Sequence, residues 1–120
     1  MMELALLAAA VVLTLVVFTG SGIVKLAGAK VSLEQRDALG ISPGLWRTIG
    51  ALELLGVLGV VLAWGDVGPR WLGEAAAVGF ILLIVGAIVT RLRAKSPFGM
   101  VLMDLVTLVL CVLTLVWTRV

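Results

Sequence analysis

Residues 46–64 read WRTIGALELLGVLGVVLAW, and this stretch decides the fold. Apart from Arg47, Thr48 and Glu53 it is apolar, and a tryptophan stands at each end. Its 19 residues are close to the roughly 20 that an α-helix needs to cross a bilayer. A carboxylate within hydrocarbon costs about 2.5–3.5 kcal/mol even on an insertion scale. The stretch therefore predicts a transmembrane helix in which Glu53 meets a polar partner.

Three further apolar stretches of similar length complete the pattern. Hydrophobic residues make up 62% of the 120 residues and charged residues 13%, whereas a soluble domain is roughly 45–50% apolar. The sequence therefore predicts an all-α membrane protein, a single domain over residues 1–120 built as a four-transmembrane-helix bundle. The expected spans, numbered 1 to 4, are residues 4–26, 45–64, 71–91 and 98–118.

The segment between spans 1 and 2 is polar by the standard of this chain. Ser32-Leu-Glu-Gln35 has the spacing of a capping box, and Gly40 is suited to end a short helix. Ser42 followed by Pro43 has the pattern of an N-cap with proline at the first helical position, which predicts the start of span 2. We therefore expect a short amphipathic helix at the membrane surface between the two spans.

The tryptophans and the basic residues indicate how the spans cross the bilayer. All four tryptophans fall at predicted span ends, where amphipathic rings are enriched. Seven of the nine Lys and Arg residues lie at the end of the bundle that holds the first and third loops. The positive-inside rule then predicts that loops 1 and 3 are cytoplasmic and both termini outside, with a bacterial inner membrane as the expected location.

The residue types that are missing exclude several functions. The chain has no histidine and a single cysteine, Cys111, so it lacks the ligands of a bis-histidine haem and the pair for an intramolecular disulfide. A zinc site would need Cys111 with carboxylates, a poor ligand set, and no metal site is expected. No basic cluster stands beside exposed aromatic residues, which argues against a nucleic-acid partner.

Charged side chains inside the spans predict a buried polar cluster. Glu53 and Asp104 enter the bilayer from the same end, where Lys25 and Arg47 also lie. A four-helix bundle brings these four together as a ligand-binding site open toward the cytoplasm. A balanced set of two acids and two bases is also able to satisfy itself as a salt-bridge clasp. Span 4 has a polar stripe of residues spaced three or four apart, Asp104, Thr107, Cys111, Thr114 and Thr118. The candidate residues of the cluster are Lys25, Arg47, Glu53, Asp104, Ser21 and Thr107.

Span 3 carries a stripe of mostly small residues. Its members, spaced three or four apart, are Ala76, Gly79, Leu83, Gly86 and Thr90. Small residues let the backbones of membrane helices approach closely. We therefore expect this stripe to pack within the bundle, against a second copy of the chain, or against a partner protein.

Two motifs resemble the DoxX-like family of small four-helix membrane proteins. The first is Phe18-x-x-Ser21-Gly22-x-x-Lys25-Leu26, and the second is Arg47-x-Ile49-Gly50-x-Leu52-Glu53-x-x-Gly56. Pro43 and Pro97, which precede spans 2 and 4, also fit, and the resemblance extends over residues 18–118. It marks Lys25 and Glu53 as the strongest site candidates, whereas Asp104 rests on the polar stripe of span 4 alone.

The resemblance implies a four-helix bundle without fixing one activity. Members resemble a subunit of thiosulfate:quinone oxidoreductase, and some are linked to oxidant and thiol stress. Related four-helix proteins include receptor-assembly chaperones and the sterol-isomerase-like EXPERA group. Because this chain lacks histidine, a cysteine pair and a cofactor motif, a redox role would need a partner subunit or a quinone bound in the bundle.

Three functions are consistent with these features, in order of preference. The first is a non-catalytic subunit, anchor or assembly factor of a membrane redox or envelope complex, with another membrane protein as partner and no intrinsic cofactor. The second is a protein that binds a lipid, quinone or isoprenoid, with acid–base chemistry by Glu53 and Asp104. The third is a small proton-coupled transporter, ranked last because the outer halves of the spans carry no charge apart from Glu74 near the outer end of span 3.

Overall fold

Four long helices and one short helix account for nearly the whole chain. The computed structural model describes residues 2–119, and within that range it contains helices and no strand. The helices are α1 (Met2–Ala27), α2 (Lys30–Leu39), α3 (Pro43–Trp64), α4 (Arg70–Arg93) and α5 (Phe98–Thr118). All except α2 are long and apolar enough to cross a membrane. The predicted all-α membrane bundle is therefore confirmed.

The four long helices form a square in which α1 and α4 stand at opposite corners. Both α1 and α4 pack against α3 and α5. Across the diagonal, the rings of Phe18 and Phe80 stack with centroids 4.0 Å apart and planes 10° apart. Val11, Val60 and Cys111 are buried around this ring pair. The centre of the bundle is thus a closed apolar core, as expected of interiors packed to near crystalline density.

Two glycines bring α1 and α3 into close backbone contact. A Cβ atom on Gly22 would lie 2.9 Å from the carbonyl oxygen of Gly50, and one on Gly50 would lie 2.8 Å from the Cβ of Lys25. No side chain larger than hydrogen fits either position without separating the helices, which is the usual role of small residues between membrane helices. This contact places Lys25 directly beside α3.

Glycines in the left-handed region flank the short helix α2 on both sides. Gly28 has φ of 71° and Gly40 has φ of 68°, a conformation that glycine adopts without steric cost. The predicted stop at Gly40 and the predicted N-cap at Ser42 are confirmed, since the Ser42 side chain accepts a hydrogen bond of 3.2 Å from the Leu45 backbone N–H. The predicted cap at Ser32 is wrong, because α2 starts at Lys30 and Ser32 is buried inside it.

The small-residue stripe of α4 is divided: Ala76 and Leu83 pack against the core, whereas Gly79 and Gly86 face away from the bundle. The inward face of α4 is instead formed by Gly73, Ala77, Phe80 and Ile84. A Cβ atom on Gly79 or Gly86 would meet nothing within 4 Å. The inward position of Phe80 follows from its stacking on Phe18, because burying an aromatic ring removes more apolar surface than burying a glycine. The two glycines of the stripe therefore lie on an outer surface of this chain.

Candidate functional site

Lys25 and Glu53 form a buried ion pair between α1 and α3. The Lys25 ammonium contacts the Glu53 carboxylate and also donates a hydrogen bond of 2.9 Å to the Ser21 hydroxyl, one turn earlier in α1. The Glu53 side chain is only 3% exposed and that of Lys25 is 15% exposed. An isolated buried charge costs far more than a paired one. Lys25 is therefore the polar partner of the Glu53 carboxylate within span 2.

Trp46 connects this ion pair to α2. Its ring lies 4.9 Å from the Lys25 ammonium, within the range of a cation–π contact. Its indole N–H donates a hydrogen bond of 2.9 Å to the hydroxyl of Ser32, and both residues are buried. The indole thus joins α2 to α3 at the end of the bundle where Lys25 lies.

A second ion pair joins α4 to α5. The Nε atom of Arg91 lies 2.6 Å from Oδ2 of Asp104, and each side chain is 13% exposed. At this distance the two opposite charges form a salt bridge. A second guanidinium nitrogen, Nη1, lies 3.6 Å from the sulfur of Met100. Asp104 therefore has a cationic partner on the neighbouring helix, as Glu53 does.

The predicted single cluster is thus two separate ion pairs, and one of the predicted residues, Arg47, belongs to neither. Arg47 is exposed and forms no ion pair within residues 2–119. Its place next to Asp104 is taken by Arg91, which the sequence analysis left out of the candidate site. Thr107 is half-buried, and its hydroxyl donates to the backbone carbonyl of Met103 at 2.9 Å, which occupies its only donor.

The register of the α4–α5 hairpin is the signal that identifies Arg91. Arg91 lies two residues before the end of α4, and Asp104 is six residues after the start of α5. In an antiparallel hairpin these positions lie within about two turns of each other along the axis, since each residue advances about 1.5 Å. An arginine side chain is long enough to cover that difference.

Polar groups deeper in the bundle bind their own backbone or each other. The hydroxyl of Thr14 donates to the carbonyl of Ala10, and the hydroxyl of Thr114 lies 2.9 Å from the carbonyl of Leu110. The two hydroxyls are 3.1 Å apart across the α1–α5 contact, and both are fully buried. Such contacts stabilise helix packing by about 0.6 kcal/mol on average. The hydroxyls of Thr14 and Thr114 are therefore already engaged within the bundle.

Two cavities lie at the ends of the bundle. One, of about 350 Å³, lies between α2 and the α4–α5 loop and includes Arg91 in its lining. The other, of about 290 Å³, lies at the opposite end beside Trp64 and Trp117. Glu53 lines neither cavity. Within residues 2–119 no three or more His, Cys, Asp or Glu side chains are grouped closely enough to hold a metal ion.

Trp46→Phe is expected to loosen α2 while the four long helices stay assembled. The substitution keeps a ring beside Lys25 but leaves the buried Ser32 hydroxyl without its donor. This should weaken the attachment of α2 to α3 by about 1 kcal/mol. Hydrogen–deuterium exchange of the α2 amides should accelerate about fivefold. Trp71→Phe, at an exposed indole, is the control and should leave α2 exchange unchanged. Unchanged exchange in Trp46→Phe would show that α2 is held by other contacts.

Comparison with known proteins identifies one family. The sequence profile of the DoxX-like family matches residues 7–114, which is most of the chain. The match includes both motifs that carry the resemblance and all four of the ion-paired residues described above. No curated protein and no solved structure gives a significant match.

Proposed function

This chain belongs to the DoxX-like family, and on that premise we propose that it is a non-catalytic membrane subunit, an anchor or assembly factor for a redox or envelope complex. The observation that carries the proposal is the pairing of both intramembrane carboxylates. Glu53 is held by Lys25 and Asp104 by Arg91. Because each pair joins two neighbouring helices, their first effect is to hold the bundle together. The contacts with other molecules then fall on its outer surface.

The small-residue stripe on α4 supports an outer contact with a partner helix. Gly79 and Gly86 are two turns apart and have open space where a Cβ would stand. The hydroxyl of Thr90 already donates to the Gly86 carbonyl at 2.7 Å. A partner helix therefore needs no polar side chain to satisfy this hydroxyl. Helix association in a membrane depends on such close packing, because lipid tails are as apolar as leucine. The occupant we propose is a transmembrane helix of another protein whose leucine or valine side chains fill these two positions.

Gly79→Leu and Gly86→Leu are expected to release the partner without unfolding the chain. Each leucine would fill the space that the partner side chain occupies, so the complex extracted gently from its own membrane should shrink to the isolated chain, with at least about a tenfold loss of complex. Native mass spectrometry measures both species. Gly20→Leu is the matched control, since Gly20 of α1 also has nothing within 4 Å of its Cβ position; it should leave the complex intact.

Three outcomes would contradict the proposal. A complex whose mass equals two copies of this chain would assign the stripe to self-association. Equal release by all three leucine variants would show that added bulk anywhere on the outer surface disrupts the complex. Retention of the partner in both α4 variants would show that it binds elsewhere.

The ligand-binding alternative has less support at the two carboxylates. An acid–base role for Glu53 and Asp104 requires a cavity that reaches them, and neither carboxylate lines the two end cavities. A bound quinone or lipid is more consistent with the cavity beside α2, where the charged groups of the lining remain accessible.

The charge distribution supports an orientation for the proposed subunit. The end of the bundle that holds α2 and the α4–α5 loop, here called the basic end, carries seven of the nine Lys and Arg residues. We propose that the basic end lies in the cytoplasm and both termini outside, in a bacterial inner membrane. This orientation follows the excess of Lys and Arg found in cytoplasmic loops.

A further inference from the structure

The cavity between α2 and the α4–α5 loop, here called the α2 groove, has the form of a small-molecule site. Its volume of about 350 Å³ is at the lower end of the roughly 300–1,000 Å³ typical of ligand pockets. It lies at the basic end, where α4 finishes and α5 begins. Its apolar lining comes from Val31, Ala38, Leu39, Pro97 and Met100.

One wall of the α2 groove is basic. Arg91 and Lys95 both line it, with the hydroxyl-bearing Ser96 between Lys95 and Pro97. The guanidinium of Arg91 is fixed in place by Asp104 through Nε, which leaves further N–H donors of the fork available. Lys95 is exposed and forms no ion pair within residues 2–119. An arginine held by a carboxylate beside a free lysine is suited to a phosphate group.

The opposite wall carries an acid. Glu34 of α2 lines the groove, is exposed, and has no cation within ion-pair distance in the described part of the chain. Its neighbour Asp37 differs, because that carboxylate bonds Arg36 at 3.0 Å and lies outside the groove. The groove therefore presents positive charge from the α4–α5 side and negative charge from the α2 side.

We infer that the α2 groove binds the phosphoethanolamine headgroup of a membrane phospholipid. The phosphate meets Lys95 and the free N–H groups of Arg91, and the ammonium meets Glu34. A zwitterionic headgroup matches both walls, whereas a purely anionic one has no cation to meet Glu34. The apolar lining then contacts the glycerol and the first carbons of the acyl chains. The α2 groove does not include Gly79 or Gly86 of the α4 stripe. The lipid site and the proposed partner contact can therefore be tested independently.

The test uses the full chain in nanodiscs that contain equal amounts of phosphatidylethanolamine, phosphatidylglycerol and phosphatidylcholine. Native mass spectrometry measures which lipid stays bound after release from the disc. We expect phosphatidylethanolamine to exceed each of the others about tenfold, because phosphatidylglycerol lacks the ammonium and the methylated ammonium of phosphatidylcholine cannot donate a hydrogen bond to Glu34. Equal retention of the three lipids would overturn the assignment.

Two variants test the basic and the acidic wall of the groove, and two more are controls. Lys95→Gln should reduce retention of phosphatidylethanolamine about tenfold, and Glu34→Gln should reduce it to the level of phosphatidylglycerol. Lys30→Gln and Asp37→Asn are the matched controls, since both lie on α2 outside the groove lining, and both should bind as the unaltered chain does. All four positions are exposed, so the fold should persist. Losses as large in the controls would overturn the proposal.

A water-soluble headgroup distinguishes a lipid from a free phosphate ester. Glycerophosphoethanolamine, which has the same phosphate and ammonium but no acyl chains, should fail to displace the bound lipid at millimolar concentration. Displacement at the same concentration as the lipid itself would assign the groove to a soluble compound and overturn the lipid assignment.

Discussion

Glu53→Gln should lower the free energy of unfolding by about 3–5 kcal/mol, as expected when one partner of a buried ion pair is removed. The substitution keeps the size of the side chain and leaves the ammonium of Lys25 without a counter-charge at a site that is only 15% exposed. The hydrogen bond to Ser21 remains, but a neutral hydroxyl does not balance the charge. Unfolding by sodium dodecyl sulfate in mixed micelles measures the change.

A double substitution distinguishes a structural pair from a functional one. Lys25→Met with Glu53→Leu replaces both charges by apolar side chains of similar volume, and such replacements of buried ion pairs are often neutral or stabilising. We expect this variant to recover to within about 1 kcal/mol of the original chain. Recovery of stability together with normal assembly of the complex would assign Lys25 and Glu53 to the structure of the bundle.

An exposed ion pair on the same protein provides the control. Arg119 and Glu74 lie 2.8 Å apart at the other end, with side chains that are 71% and 37% exposed. Glu74→Gln should change stability by less than about 1 kcal/mol, because surface pairs gain little over their contacts with water. If Glu53→Gln is equally mild and instead abolishes binding of a lipid or partner, then Glu53 is a binding residue and the clasp is wrong.

The sequence is more informative about position along each helix than about direction around it. Tryptophans, prolines and the run lengths predict four apolar helices whose bounds differ by no more than two residues from those of α1, α3, α4 and α5. The motifs brought Lys25 and Glu53 together as strongest candidates, and they are in contact. The helix bounds and the Lys25–Glu53 contact depend on distance along the helix axis. This distance follows directly from the number of residues, since each advances about 1.5 Å.

The orientation of α4 shows what the sequence leaves open. In a soluble helix, polar residues mark the outward face, but a membrane helix is apolar on both faces. For α4 the sequence points only to the small-residue stripe, whereas the stacking of Phe80 on Phe18 shows that the face with Phe80 turns inward. The membership of the second ion pair depends on the same information. Arg47 and Arg91 both lie at the basic end, and the hairpin brings Arg91 to Asp104 while Arg47 faces outward.

Gly22→Val should destabilise the bundle by about 3 kcal/mol, at the upper end of the usual cost of overpacking. The Cβ position of Gly22 lies 2.9 Å from a backbone oxygen of Gly50, and 2.7 Å from the Cγ of Leu54. A leucine side chain can move, but the Gly50 carbonyl moves only with α3 itself. Gly20→Val is the matched control two residues earlier in α1, where nothing lies within 4 Å, and it should leave the unfolding free energy within about 0.5 kcal/mol.

This destabilisation should be coupled to the ion pair. Lys25 lies one turn beyond Gly22, so a valine that separates α1 from α3 also withdraws the ammonium from Glu53. Part of the cost of Gly22→Val is then the loss of that pair. In the Lys25→Met and Glu53→Leu background this part is already absent, and the same substitution should cost at least about 1 kcal/mol less, a coupling typical of residues that share a contact. An unchanged cost in that background would show that the glycine contact and the ion pair stabilise the α1–α3 interface independently.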